Sequence, residues 1–155
     1  MSVKEIAAKQ YQAIVDRAAT RFERDTGAPP EGWIATVRKA LGMSGAQLAR
    51  RLGVTRARIS KAERAEVQGG VTLRTMHMAA EAMGCRFVYA IVPDGRIEDL
   101  LAAQARRKAQ ALVRKASDHM ALESQSLSEE QNAEEVERLA RDLLRNMPSG
   151  LWSDR

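Results

Sequence analysis

The chain has 155 residues, 25 basic and 20 acidic, for a formal net charge of +5. That is the size of one domain, or of a small domain with extensions, and with six aromatic residues its core has to be aliphatic. A single cysteine excludes an internal disulfide, and no apolar run approaches the length of a membrane span or a signal peptide, so the cytoplasm is the expected compartment.

The charge is unevenly placed. Residues 1–92 carry 15 basic and 8 acidic side chains, residues 93–155 carry 10 and 12, and residues 33–66 carry 8 and 2. A local excess of this kind suits an electrostatic footprint on phosphates, and the acidic remainder argues against a uniformly sticky surface.

Val3 to Phe22 places Val3, Ala7, Tyr11, Ile14, Ala18 and Phe22 at three-and-four spacing, which predicts an amphipathic supporting helix packed on the core. Asp25 to Gly32, DTGAPPEG, is a turn-rich break. Trp33 to Leu41 reads as the next helix, with Ile34, Val37 and Leu41 inward and Trp33 as a core anchor. Arg38 and Lys39 lie on its outer face, as solvated charge or as phosphate contacts.

Gly42 to Glu66, GMSGAQLARRLGVTRARISKAERAE, carries the start, stop and turn signals of a helix-turn-helix. Ser44 followed by Gln47 is a capping box, so a helix begins near Gly45, with Leu48, Ala49 and Leu52 as its apolar stripe. Gly53 supplies the positive φ of the turn, Val54 plugs the angle, and Thr55 caps the following helix. In that helix Ile59 and Ala62 face inward, which leaves Arg56, Ala57, Arg58, Ser60, Lys61 and Arg64 outside. A helix of this kind enters the major groove with its N-terminal residues at base edges, where arginine pairs in bidentate fashion with guanine. Arg56, Ala57, Arg58, Ser60 and Lys61 are the candidate base readers, and Ser44, Gln47, Arg64 and Arg38 the candidate phosphate contacts.

On these residues, GMSGAQLARRLGVTRARISKAER resembles the lambda-repressor-like, Cro-type helix-turn-helix of the XRE family, over roughly Trp33 to Met83. The resemblance implies a small helical DNA-binding fold. The family often has glutamine or serine where Arg56 stands, a departure that alters the expected DNA site rather than the fold.

Thr72 caps a further helix with Leu73, Met76, Ala80 and Met83 at helical spacing and Gly84 as its stop, and Met76, Met78 and Met83 read as core filler. Cys85 to Val92, CRFVYAIV, is rich in β-branched and aromatic residues and reads as a strand. No second strand is evident, so Phe87, Val88, Tyr89 and Ile91 are expected to pair with the same strand of a second subunit, or else to extend a sheet in another protein.

Pro93-Asp94-Gly95 turns the chain into a long alanine-rich helix from Arg96 to about Leu122, with Ile97, Leu101, Ala105, Leu112, Ala116 and Met120 on one side. Its Arg106-Arg107-Lys108 and Arg114-Lys115 clusters read as a solvated face. After a polar linker over residues 124–132, a last amphipathic helix turns Val136, Leu139, Ala140, Leu143 and Met147 inward and ends at Pro148-Ser149-Gly150. Leu151 and Trp152 either dock back on the body or insert into a partner.

The flank TLRTMHMAAEAMGCRFVYAIVP, the MALESQ run and the terminal LW resemble, more narrowly, the small family called mobile mystery protein A. Its members resemble antitoxin-type regulators and are typically encoded beside a Fic/Doc-type protein, so the resemblance implies such a partner. Inhibitors of Fic enzymes commonly carry Ser or Thr, three residues, then Glu followed by Gly or Asn. Ser126 to Glu130 has that spacing, but Gln131 follows.

His77, His119 and Cys85 are too few and too scattered for a zinc site or a Cys–His nucleophile, and no phosphate loop, nucleophile elbow or HExxH occurs. The chain is therefore read as a non-enzyme without cofactor or metal. The expected fold is mainly α, a lambda-repressor-like helix-turn-helix domain with one strand. It divides into a supporting helix and loop (1–32), the DNA-binding domain (33–84), a dimerisation strand and turn (85–95) and a C-terminal helical extension (96–155). The expected function is sequence-specific transcriptional regulation as a homodimer on paired half-sites. It would act as an autorepressor and antitoxin-like partner of a Fic/Doc-type protein, with protein-binding alone as the alternative.

Overall fold

The computed structural model describes residues 2–22, 27–125 and 127–153. Asp25 and Thr26 of the turn-rich break, and Ser126, lie outside the described residues. The described residues form seven helices: α1 (Val3–Phe22), α2 (Trp33–Ala40), α3 (Gly45–Leu52), α4 (Arg56–Val67), α5 (Leu73–Ala82), α6 (Ile97–Leu122) and α7 (Glu129–Asn146). They belong to two compact units, Arg24–Ala90 and Met1–Glu23 with Ile91–Arg155.

In the first unit, α2 to α5 enclose a core of Ile34, Leu48, Ala49, Ile59, Met76, Ala79 and Met83, with Val37, Met43, Leu52, Val54, Ala62 and Phe87 packed against it. The helix starts follow the predicted caps. Ser44 Oγ accepts the Gln47 amide N–H (3.1 Å) while the Ser44 N–H donates to Gln47 Oε1 (2.8 Å). Thr55 Oγ1 accepts the Arg58 N–H (3.2 Å), and Thr72 Oγ1 accepts the Thr75 N–H (3.1 Å). Gly53, at φ 67° and ψ 31°, closes α3 in the left-handed conformation, and the Val54 N–H reaches back to the Ala49 carbonyl at 3.0 Å.

The start of α2 has no local capping side chain. Glu66, more than thirty residues later on α4, serves instead: its carboxylate accepts from the Trp33 N–H (2.5 Å) and the Ile34 N–H (3.0 Å). Gly32 makes room for it, because a Cβ there would lie 2.8 Å from Glu66 Oε2, and its φ of +82° disfavours a side chain in any case. One turn earlier on α4, Glu63 takes Arg38 of α2 in a bidentate pair (Nε–Oε1 2.7 Å, Nη2–Oε2 3.2 Å), and Arg38 Nη1 also donates to the Met43 carbonyl (3.0 Å).

Several expected positions differ. Ile34 is buried, but Trp33 is 47% exposed and Leu41 is also exposed, because α2 ends at Ala40 and the core ridge passes through Ile34, Ala35 and Val37. Met76 and Met83 fill the core, whereas Met78 points to solvent and Ala79 takes the inward place. The strand expected over residues 85–92 is absent among the described residues. A strand exists only as part of a ladder, and among the described residues no backbone–backbone hydrogen bond ties residues 86–95 to another segment. Tyr89, Val88 and Ile91 are exposed accordingly.

In the second unit α6 packs against α7 over Ala105, Ala109, Ala140 and Leu151, with Leu101, Val136, Leu139, Leu143, Leu144 and Met147 around them. The alanines let the two backbones approach closely. The buried seam of α6 steps by four through Ala105, Ala109 and Val113, so Leu112 and Ala116, expected inside, are outside. Ser128 and Gln131 form a capping box that starts α7 inside the predicted linker. Leu151 docks on the unit and its carbonyl accepts from Gln104 Nε2 (2.8 Å), while Trp152 stays exposed. α1 packs on α6, and its Asp16 accepts the Ile97 N–H (3.2 Å), but Val3, Tyr11 and Ile14 of its predicted apolar stripe are exposed.

Replacing Glu66 with alanine removes the side-chain cap of α2 seen among the described residues. The helix-turn-helix unit is expected to lose about 1–2 kcal/mol, read as a fall of roughly 5–10 °C in Tm by circular dichroism. An unchanged melting curve would show that the cap contributes nothing.

Candidate nucleic-acid interface

α4 is divided by its periodicity. Ile59, Ala62, Glu63 and Glu66 share the inner stripe, where Ile59 is buried and the two acids meet α2. Arg56, Ala57, Arg58, Ser60, Lys61 and Arg64 are all exposed. Both carboxylates of this helix are therefore engaged in the fold, and its outer face carries only cations, a serine and small side chains. Among the described residues, Arg50, Arg56, Arg58, Lys61 and Arg64 enter no ion pair. Each retains its guanidinium or ammonium donors for an outside acceptor.

The helix turn brings the start of α3 beside this face. A Cβ on Gly45 would lie 3.9 Å from Arg56 Cγ, so the aliphatic stem of Arg56 runs along the first turn of α3. Ser44 and Gln47 are exposed there. Their mutual bonds use the serine oxygen and the amide carbonyl, which leaves the hydroxyl proton and the amide NH2 as donors. The N–H groups of Gly45 and Ala46 precede the first intrahelical bond, from the Leu48 N–H to the Ser44 carbonyl (3.1 Å), and add to the positive end of the helix dipole.

Arg38 is placed differently. Its side chain is 14% exposed, that of Glu63 17%, and the hydrogen bond it donates to Glu63 holds the guanidinium above its ordinary pKa against the opposing effect of burial. All three of its nitrogen atoms already donate within the protein, so Arg38 fixes α2 to α4. Arg51 is similarly engaged, donating to the Ala82 carbonyl at the end of α5 (3.1 Å), and Lys39 pairs with Glu31. Of the expected dimer residues, Phe87 (half-buried), Val88 and Tyr89 (both exposed) lie near the end of this unit's sequence, and Ile91, also exposed, begins the stretch that belongs to the second unit.

Sequence reading missed Glu63 and Glu66 as functional supports. The signal was present in their spacing, since Ile59, Ala62, Glu63 and Glu66 form one helical stripe.

The fold and this surface define a helix-turn-helix of the DNA-binding class. Residues 34–89 match the family model described as helix-turn-helix. The match supports an XRE-type, DNA-binding regulatory domain over that segment. No curated protein and no solved structure matches the chain. No helix among the described residues is long and apolar enough to cross a membrane.

Two kinds of arginine follow from the geometry. Arg38→Ala is expected to lower unfolding stability by about 1–3 kcal/mol and to leave the salt dependence of DNA binding unchanged. Arg64→Ala is expected to stay within about 0.5 kcal/mol of the parent in stability while it reduces the slope of log K against log salt by roughly one. Melts and binding titrations on the same preparations separate the two; a reduced slope for Arg38→Ala would contradict its assignment.

Proposed function

We propose that this chain is a sequence-specific transcriptional regulator that binds DNA as a homodimer. The observation that supports it most is the outer face of α4, where Arg56, Arg58, Ser60, Lys61 and Arg64 stand exposed while both acids of the helix are turned inward. Arg56, Ala57, Arg58, Ser60 and Lys61 lie at base edges in the major groove. Ser44, Gln47 and Arg64 fix the register on phosphates, and Arg38 is withdrawn from that set. Residues 33–84 constitute the DNA-binding part, residues 85–95 supply dimerisation, and residues 96–155, on which α1 packs, carry other contacts.

Dimerisation uses the segment Phe87, Val88, Tyr89 and Ile91, paired with its copy. The unpaired backbone and exposed apolar side chains of this segment support that role. A two-fold dimer presents two copies of α4 to successive half-sites. Regulation is repression, by occlusion of polymerase on the protein's own operon in the cytoplasm. The narrower resemblance to the mobile mystery protein A family supports a second role as antitoxin-like partner of a Fic/Doc-type protein. The exposed Trp152 beside the docked Leu151 offers such a partner an apolar anchor.

Titration against the protein's own upstream DNA and an unrelated duplex over a salt series tests the regulator reading. The native chain is expected to prefer its upstream DNA by at least about a thousandfold. The Arg56→Ala/Arg58→Ala variant is expected to lose roughly 1–3 kcal/mol of that discrimination per arginine. Equal affinity for both duplexes would overturn it. Co-expression with the protein encoded next to it tests the partner, which is expected to co-purify.

A further inference from the structure

Among the described residues, no backbone–backbone hydrogen bond ties residues 86–95 to another segment, yet two side chains of this stretch are held in place. Phe87 and Tyr89 stack on each other, with ring centroids 5.5 Å apart and planes 22° apart. His77 of α5 meets both rings edge-on, at 5.2 Å and 89° to Phe87 and at 6.1 Å and 73° to Tyr89. A stack between residues two apart suits an extended backbone, in which alternate side chains share a side. The aromatic trio fixes Phe87 and Tyr89 side by side against His77.

We propose that His77 is a positioning residue for dimerisation. With Phe87 and Tyr89 it forms an aromatic clasp that presents residues 86–92 as a preformed edge for the same segment of a second copy. The inference rests on the strand-pairing reading given above. A segment that is already extended and clasped loses less conformational freedom on pairing than a free one, so the clasp strengthens the dimer without touching the partner's backbone.

The occupant is a second copy, in antiparallel orientation. Residues 87–93, FVYAIVP, contain no charge, and the charge nearest to them on the N-terminal side is Arg86. Pairing in parallel and in register would set Arg86 against its own copy, a repulsive contact. Antiparallel pairing about Tyr89 sets Arg86 opposite Val92, Phe87 opposite Ile91 and Val88 opposite Ala90, all without like charges. It also covers Ile91, which is 93% exposed in the single chain. With Phe87–Ile91 and Tyr89–Tyr89 as the non-hydrogen-bonded pairs, the N–H groups of residues 86, 88, 90 and 92 donate across the ladder, while those of residues 87, 89 and 91 face away from it.

The full-length chain is examined by analytical ultracentrifugation over a concentration series, as the parent and as His77→Ala, His77→Phe and Val88→Pro. His77→Ala is expected to weaken dimerisation roughly three- to tenfold with the melting temperature unchanged, because His77 lies outside the core. His77→Phe keeps an edge-on ring and is expected to restore the parent's dimer. Val88→Pro removes a ladder donor and is expected to be monomeric. If His77→Ala dimerises like the parent while Val88→Pro does not, the clasp is overturned and strand pairing stands. Equal weakening by His77→Ala and His77→Phe likewise removes ring packing as the device. If Val88→Pro dimerises like the parent, or the parent itself is monomeric at every concentration, the pairing reading falls and the clasp with it.

Discussion

The helix-turn-helix unit depends on how α4 is fastened to α2. Glu66 caps the start of α2, and Glu63 holds Arg38 from the same helix one turn away. These are charge-assisted bonds across a sequence separation of 25 to 33 residues, so they set the angle at which α4 leaves the core. They also sort its charge. An exposed helix with four cations and two acids would show a mixed surface; drawing both acids to the inner stripe leaves an outer face that is basic throughout its first three turns. Fold stability and the electrostatic character of the outer face of α4 thus rest on the same two carboxylates, and loss of either would alter both.

The parts of the fold governed by local chemistry were legible in the sequence. Ser44 with Gln47, Thr55, Thr72 and Gly53 each act within a few residues of themselves, and each sits where the pattern placed it. The long helix ends at Leu122 as expected, and the outer and inner residues of α4 separate as 3.6-residue periodicity requires. What could not be read was non-local. Trp33 looked like an anchor because of its size, but it occupies the first position of a short helix whose ridge passes beside it. Leu112 satisfied the helical period of α6 as well as Val113 does, and the choice between them was made by α7 through the close alanine seam. The Glu66 cap required knowing that α4 crosses the start of α2.

The segment after α5 shows the same limit from the other side. Its composition favours a strand, but composition supplies only half of a ladder, and within one chain the other half is missing. Phe87 and Tyr89 nevertheless stack on each other and both meet the ring of His77 on α5. The apolar face of α1 poses a comparable mismatch between pattern and burial: the periodicity is real, but α6 covers only part of it.

The most direct measurement of the central claim is an amide-resolved NMR titration of the 15N-labelled protein with its upstream duplex at moderate salt. The account predicts the largest shifts at Ser44 to Gln47 and Arg56 to Lys61, with the Trp33 and Ile34 amides, held by Glu66, nearly unmoved. Shifts centred on Trp33 and Ile34, or on α7, with the start of α4 silent would contradict it.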